Sequence, residues 1–203
     1  MLNQKERMLA GLPYKSWLDG LSDERLALRK LTHQYNVFPP GDRQEMTNLL
    51  KQIIGKTGED LMIEPPFRCD YGSNIEVGNN FYANFNCVML DVGKITIGEN
   101  VMFGPNVSLY TAGHPLHPTS RTSGYEYGIP ITIGDSVWLG GSTVVNPGVT
   151  IGDNVVIGSG SVVTKDIPAN SVAVGNPCKV IHTVTEADRE FYYRDFKFDV
   201  TDY

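Results

Sequence analysis

Apolar residues recur at every sixth position through the later half of the chain, where Ile133, Leu139, Val145, Ile151, Ile157 and Val163 keep strict phase. The same spacing runs through Ile97, Phe103 and Leu109, and earlier through Val77, Ala83 and Met89. A longer register overlies it: the tetrads IGEN at 97–100, IGDS at 133–136 and IGDN at 151–154 stand 36 and then 18 residues apart, and 18 is three sixes. A period of six matches neither a helix nor an ordinary amphipathic strand. It matches a chain that runs straight for a few residues, turns on a small residue and runs straight again. Three such segments close a triangular coil, each coil stacks on the last by parallel strand pairing, and the apolar residue points inward. Gly, Asn and Asp take the turns, where positive φ is tolerated. The pattern predicts a hexapeptide β-helix over about 60–181. A sandwich would place its turn signals about every 8–12 residues instead.

Two places break the phase. Between Tyr110 and Ile131 the text TAGHPLHPTSRTSGYEYGIP has no hexad register; since 97 to 133 equals two coils of register, it reads as part of a coil with a loop pushed out. A two-residue slip between Val77 and Ile97 falls around Asp91–Lys94. Ahead of the repeats, 4–54 reads as helices: KERMLAG, then SDERLALRKLTHQYN with Leu26, Leu28 and Leu31 behind a Ser22/Asp23 cap. DRQEMTNLLKQII follows, with Asp42 and Glu45 as a capping box and a stop at Gly55. After the repeats, TEADREFYYRDFKFDV opens with a Thr185/Asp188 cap pattern and ends in an aromatic run suited to packing on a coil or another subunit. The regions expected are 1–57 (N-terminal helices), 58–181 (β-helix, with an extruded loop at 111–130) and 182–203 (helical and aromatic extension).

The chain has 203 residues, a net charge of −6 and 21 glycines, which fits one turn-rich domain large enough to bury a core without cross-links. No basic cluster offers phosphate neutralisation to a nucleic acid. No apolar run approaches the roughly 18 residues of a membrane span. The charged opening MLNQKERMLAG is unlike an export signal, so a cytoplasmic location is expected. Cys69, Cys87 and Cys178 are widely spaced and suggest neither a disulfide framework nor a zinc site.

Among polar residues that break the repeat, His114 of TAGHPLH is foremost. Imidazole titrates near neutrality and can take the proton of a hydroxyl as a bond forms to its oxygen. Gly113 leaves room for close approach and Pro115 restricts the backbone. A loop histidine without a role is the plainer reading, and His117 completes an HxxH that a metal would need more ligands to use. Loops thrust from a rigid scaffold are common homes for function.

The segments CDYGSNIEVGNNFYANFNCVMLD, TAGHPLHP and ITIGDSVWLGGSTVVNPGVTIGDNVVIGSGSVVTKDIP, with AGLPYKSWLDGL before and NPCKVI after, resemble the maltose and galactoside O-acetyltransferases, hexapeptide-repeat acyltransferases that use acetyl-CoA. The fold expected for the whole chain is mainly β: a left-handed parallel β-helix of hexapeptide repeats with an N-terminal helical region, an extruded loop and a C-terminal helix. The resemblance implies direct transfer of acetyl from the CoA thioester to a sugar hydroxyl, with His114 as general base and the Gly141 amide as oxyanion donor. Glu126, the acid of YEY, is either the group that holds the imidazole tautomer or a solvated loop residue. For the acceptor it implies Asp70, Tyr82, Asn84 and Asp91; Asp70 stands where the galactoside branch has serine, and Ser16 where that branch has an acidic contact. For acetyl-CoA it implies Trp138, Gly141, Ser159, Thr164, Lys165, Lys179 and His182, the last where arginine is usual; no metal is required. It implies a homotrimer with active sites between subunits and a small sugar acceptor. Two alternatives stay open: a hexapeptide acetyltransferase for another acceptor, such as an amino sugar or antibiotic, and a non-enzymatic or metal-binding β-helix trimer.

Overall fold

Short strands joined at sharp corners wind the chain into a stack of coils in this computed structural model, which describes residues 2–202. Met1 and Tyr203, the outer ends of the expected regions 1–57 and 182–203, lie outside the described residues. The first face of the stack holds Lys56–Thr57, Ile75–Val77, Ile95–Ile97, Ile131–Ile133 and Thr150–Ile151, in that order and all parallel. The second runs through Met62–Ile63, Tyr82–Ala83, Met102–Phe103, Trp138–Leu139, Val156–Ile157 and Ser171–Val174, and Lys179–Thr183 then adds antiparallel. Arg68–Cys69, Val88–Leu90, Ser108–Tyr110, Val144–Val145 and Val162–Val163 form the third. The sixth-position residues meet in register, Val77 beside Ile97, Ile97 beside Ile133 and Ile133 beside Ile151, and all of them are buried. A single core runs down the stack, with Phe81 and Phe103 edge to face at 5.1 Å.

Each letter of the IG-acid-Asn/Ser tetrad has a physical reason. The Ile points inward. The Gly sits where successive coils touch: a Cβ on Gly98 would lie 2.2 Å from Asp135 Oδ1 and 2.8 Å from the Gly134 backbone. The acid accepts from the backbone of the coil before it, Glu99 N–H donating to Asp135 Oδ1 and Asp135 N–H to Asp153 Oδ1, both at 2.8 Å. The fourth residue takes the left-handed corner: Asn100, Ser136 and Asn154 all have φ of 55°. Asparagine tolerates that region better than most side chains, and it also ladders along the corner, Asn80 to Asn100 at 2.9 Å and Asn154 to Asn170 at 2.8 Å.

The spacing of 36 residues turns out to be one coil, since Ile95–Ile97 pairs directly with Ile131–Ile133. Half of that spacing is spent in the extruded loop. The slip at 91–94 is a bulge in the coil wall, in which Asp91, Val92 and Gly93 are buried.

Three helices precede the stack: α1 (Gln4–Leu9), α2 (Leu21–Asn36) and α3 (Arg43–Ile53). α1 has a full capping box between Asn3 and Glu6. The Ser22/Asp23 cap expected for α2 is not used. Gly20, at φ 80°, is the N-cap residue, and its carbonyl accepts from Asp23 and Glu24, which are already helical. Asp42 does cap α3 by accepting from Glu45 N–H. Leu28, Tyr35, Leu49, Leu50, Ile53 and Ile54 lay α2 and α3 over the open end of the first coil. There Tyr35 hydroxyl donates to Ile63 O, while Asn36 donates to Phe67 O and accepts from Phe67 N–H, which satisfies backbone groups at the stack edge. A smaller cluster of Met8, Tyr14, Leu21, Tyr71 and Val92 joins the N-terminal segment to the coil wall.

The C-terminal helix of the expected fold is replaced by a 3₁₀ turn, Glu186–Glu190, followed by a hairpin of Phe191–Tyr193 and Phe196–Lys197. The Thr185/Asp188 capping box is present, but it opens one tight turn and no more. Consecutive aromatics favour extended chain over helix there, and Arg194 at φ 49° makes the reversal. Among the described residues no helix is long and apolar enough to cross a membrane.

Candidate active site

Thr111 closes a coil and the chain leaves the stack as a hairpin arm, Ala112–Gly113 pairing antiparallel with Tyr127–Gly128. Gly113 lets the Tyr127 ring lie against the arm: a Cβ there would stand 2.5 Å from that ring and push it aside. His114 and Glu126 are the next residues out on the two sides. The imidazole is open to solvent, its side chain 57% exposed, and its Nε2 stands 3.9 Å from Glu126 Oε2. That separation is too long for a hydrogen bond.

The segment between α1 and α2 grips this arm. Tyr14 and Glu126 exchange both backbone hydrogen bonds at 3.0 Å, and the Tyr14 hydroxyl donates to Glu126 Oε1 at 2.7 Å. Beyond Glu126, Lys15 Nζ lies 5.0 Å from the centre of the Tyr125 ring, and the Trp17 ring covers Gly124 so closely that any side chain there would collide with it. The loop tip carries a four-residue helix, Pro118–Arg121, with His117 as its N-cap residue.

Asp70 is half-buried at the end of its third-face strand. Burial pushes its carboxyl up, Arg25 and Arg29 of α2 draw it down, and Glu126 pushes it up again, which places these groups in one electrostatic neighbourhood. Arg25 also donates to the Tyr71 hydroxyl and to Ser16 O, so α2 braces the same corner. Asp91 does not take the expected place as a direct acceptor contact: it is 0% exposed. Its Oδ1 accepts from the amides of Asp70 and Tyr71, both at 2.9 Å, so it supports the corner from beneath.

Tyr82 and Asn84 lie on the second face. Tyr82 borders a groove of about 910 Å³ beside α3, and Asn84 Oδ1 caps the amide of Phe85 at 2.7 Å. Trp138 stands half exposed between Met102 and Val156 on the same face. Gly141 follows, and its N–H has no acceptor among the described residues. Ser159, Thr164, Lys165 and Lys179 are exposed farther along the stack. His182 is engaged: its Nε2 is 2.9 Å from Asp188 Oδ1, which ties the 3₁₀ turn to the last strand.

The chain therefore sets His114 beside Glu126, and Glu126 in the electrostatic neighbourhood of Asp70, which Asp91 supports through its amide. No hydrogen bond or ion pair among the described residues joins them to Tyr82, Asn84, Trp138, Gly141 or the exposed residues farther along the stack. Sequence reasoning missed Tyr14, Trp17, Arg25 and Tyr71. The signal available was a pair of aromatics in the non-helical run LPYKSW, where no helix face could have claimed them. Among the described residues no three His, Cys, Asp or Glu side chains stand close enough to hold a metal ion.

Comparison with known proteins agrees with this architecture. A family model described as the maltose acetyltransferase hexapeptide capping motif matches residues 7–58, and one for the bacterial transferase hexapeptide (six repeats) matches 130–165. The galactoside O-acetyltransferase of Escherichia coli K12 is 46% identical over 194 residues, 96% of each chain. A solved maltose O-acetyltransferase from Clostridium difficile 630 superposes with a TM-score of 0.90 at 51% identity, covering 91% of this chain and 99% of that one. A galactoside acetyltransferase solved in complex with coenzyme A gives 0.95 at 44% identity, over 98% and 100%.

Proposed function

The chain belongs to the maltose/galactoside O-acetyltransferase family of hexapeptide-repeat proteins, and from that membership we propose that it transfers acetyl from acetyl-CoA to a hydroxyl of a small sugar with His114 as general base. The observation that carries this reading is the exposed imidazole of His114 facing a fixed carboxylate across the hairpin arm. A sugar hydroxyl is too weakly acidic to attack at neutral pH unaided, so the neutral imidazole takes its proton as the oxygen bonds to the thioester carbon. Glu126 stabilises the imidazolium that results. The carbonyl oxygen gathers the negative charge and takes a hydrogen bond from the free N–H of Gly141. When the tetrahedral species collapses, the C–S bond breaks, and His114 gives its proton to the departing sulfur, so CoA leaves as the thiol and the imidazole is neutral again.

Asp70 offers the acceptor a carboxylate, and Tyr82 and Asn84 add polar contacts. Trp138 gives acetyl-CoA a flat apolar surface, Ser159 and Thr164 line its path, and Lys165, Lys179 and His182 face its phosphates, with Asp188 competing for His182. No hydrogen bond or ion pair links His114 to Gly141 among the described residues, and a homotrimer in which a neighbouring subunit completes each site would bring both to one acetyl group.

Acetyl-CoA-dependent thiol release, measured with maltose, glucose, galactosides and an amine in parallel, tests the reading. Wild type is expected to turn over on a sugar, and His114→Ala to lose on the order of a hundredfold or more. An unchanged rate in His114→Ala overturns the base assignment. Turnover on the amine alone overturns the sugar.

A further inference from the structure

We infer that Tyr14, from the N-terminal segment, is a positioning residue of the catalytic arm: its hydroxyl locks one oxygen of Glu126 so that the other faces His114. The inference rests on the reading of His114 as general base. A glutamate on a loop normally samples many rotamers, and this one is fixed at both ends. Its backbone is paired with Tyr14 through two hydrogen bonds of 3.0 Å, and its Oε1 accepts from the Tyr14 hydroxyl at 2.7 Å. The remaining oxygen has one orientation left, 3.9 Å from Nε2 of His114.

Tyr14 itself has no freedom to give. Its side chain is wholly buried in the small cluster with Met8, Leu21, Tyr71 and Val92. Burial first, and the carboxylate of Glu126 second, push its ionisation far up, so the O–H remains a donor wherever imidazole can act as a base. A carboxylate held in advance costs no reorganisation when the proton reaches His114, whereas a mobile one must be recruited against solvent at that moment. The helical region ahead of the stack thus reaches the chemistry through one phenol. A buried tyrosine kept only for packing has no need of its hydroxyl on a loop carboxylate 112 residues away in sequence.

The test is a double-mutant cycle on the full-length enzyme. Tyr14→Phe keeps the ring and removes only the hydroxyl. In the wild-type background kcat is expected to fall about tenfold, with KM for acetyl-CoA within about twofold. In a Glu126→Ala background the same substitution is expected to change kcat by less than about twofold, because the carboxylate it positions is gone. Thermal melts of all four proteins separate folding losses from catalytic ones. Equal losses of kcat in both backgrounds, or wild-type kcat in Tyr14→Phe, overturn the inference. Activity surviving in His114→Ala overturns the base assignment instead, and the two failures are read from different proteins.

Discussion

A buried carboxylate beneath Asp70 makes a pH-dependent cost predictable. Asp91 Oδ2 is buried with no hydrogen-bond partner among the described residues, while Oδ1 accepts two amides. Burial outweighs those amides, and with Asp70 adding negative charge the carboxyl is pushed up to about 6. Cys69 lies in the same field, its thiol pushed well up by burial and then by Asp91 and Asp70. A carboxyl that binds its proton more tightly in the native state contributes stability below its unfolded pKa, and loses that contribution as pH rises through the native value. Wild type should therefore lose stability relative to Asp91→Asn between about pH 4 and pH 8, by roughly 2–3 kcal/mol. Urea unfolding of both proteins across that range measures the difference, and parallel curves would refute it. The phase slip marked Asp91 as unusual, but hexad counting cannot tell whether an inserted acid faces solvent or the coil interior. That depends on which neighbouring amides lack partners.

The coils were far more legible than the elements at either end, because each coil repeats one constraint. An inward Ile, a Gly at the coil contact, an acid for the amide of the coil before and a left-handed corner are repeated demands, and each selects a residue type. Asn100 shows how much the corner matters, since it holds φ at 55° and accepts from Asn80. Asn100→Ala is expected to cost about 1–3 kcal/mol for the left-handed backbone and the lost bond. Asn100→Gly should cost less, since only the bond is lost. Equal midpoints for the two variants in denaturant would show that the ladder, not the backbone, sets the price. The C-terminal turn was misread because a capping box marks where a helix begins and says nothing about how far it continues. The hairpin arm of Ala112–Gly113 and Tyr127–Gly128 could be located only by its missing phase. Its partner Tyr14 comes from a stretch with no periodicity, so nothing local pairs the two.

At the scale of the whole molecule, a column of identical parallel layers has no natural length. Every added layer presents the same strands and the same empty pairing sites to whatever comes next. In this protein the column stops where Tyr35 and Asn36 of α2 occupy the carbonyls of Ile63 and Phe67 and the amide of Phe67. Those two side chains act as end stops, satisfying backbone groups that no further coil is there to meet. Substituting both, Tyr35→Phe with Asn36→Leu, leaves the helices their apolar face but reopens the rim. Losing those bonds, with the helices still packed on the coil, is expected to lower the denaturant midpoint by about 1–3 kcal/mol of stability, and an unchanged midpoint in urea would show that the apolar face alone holds the cap. The helical region is then a lid on the strand edge of the first coil, much as a cap closes a tube.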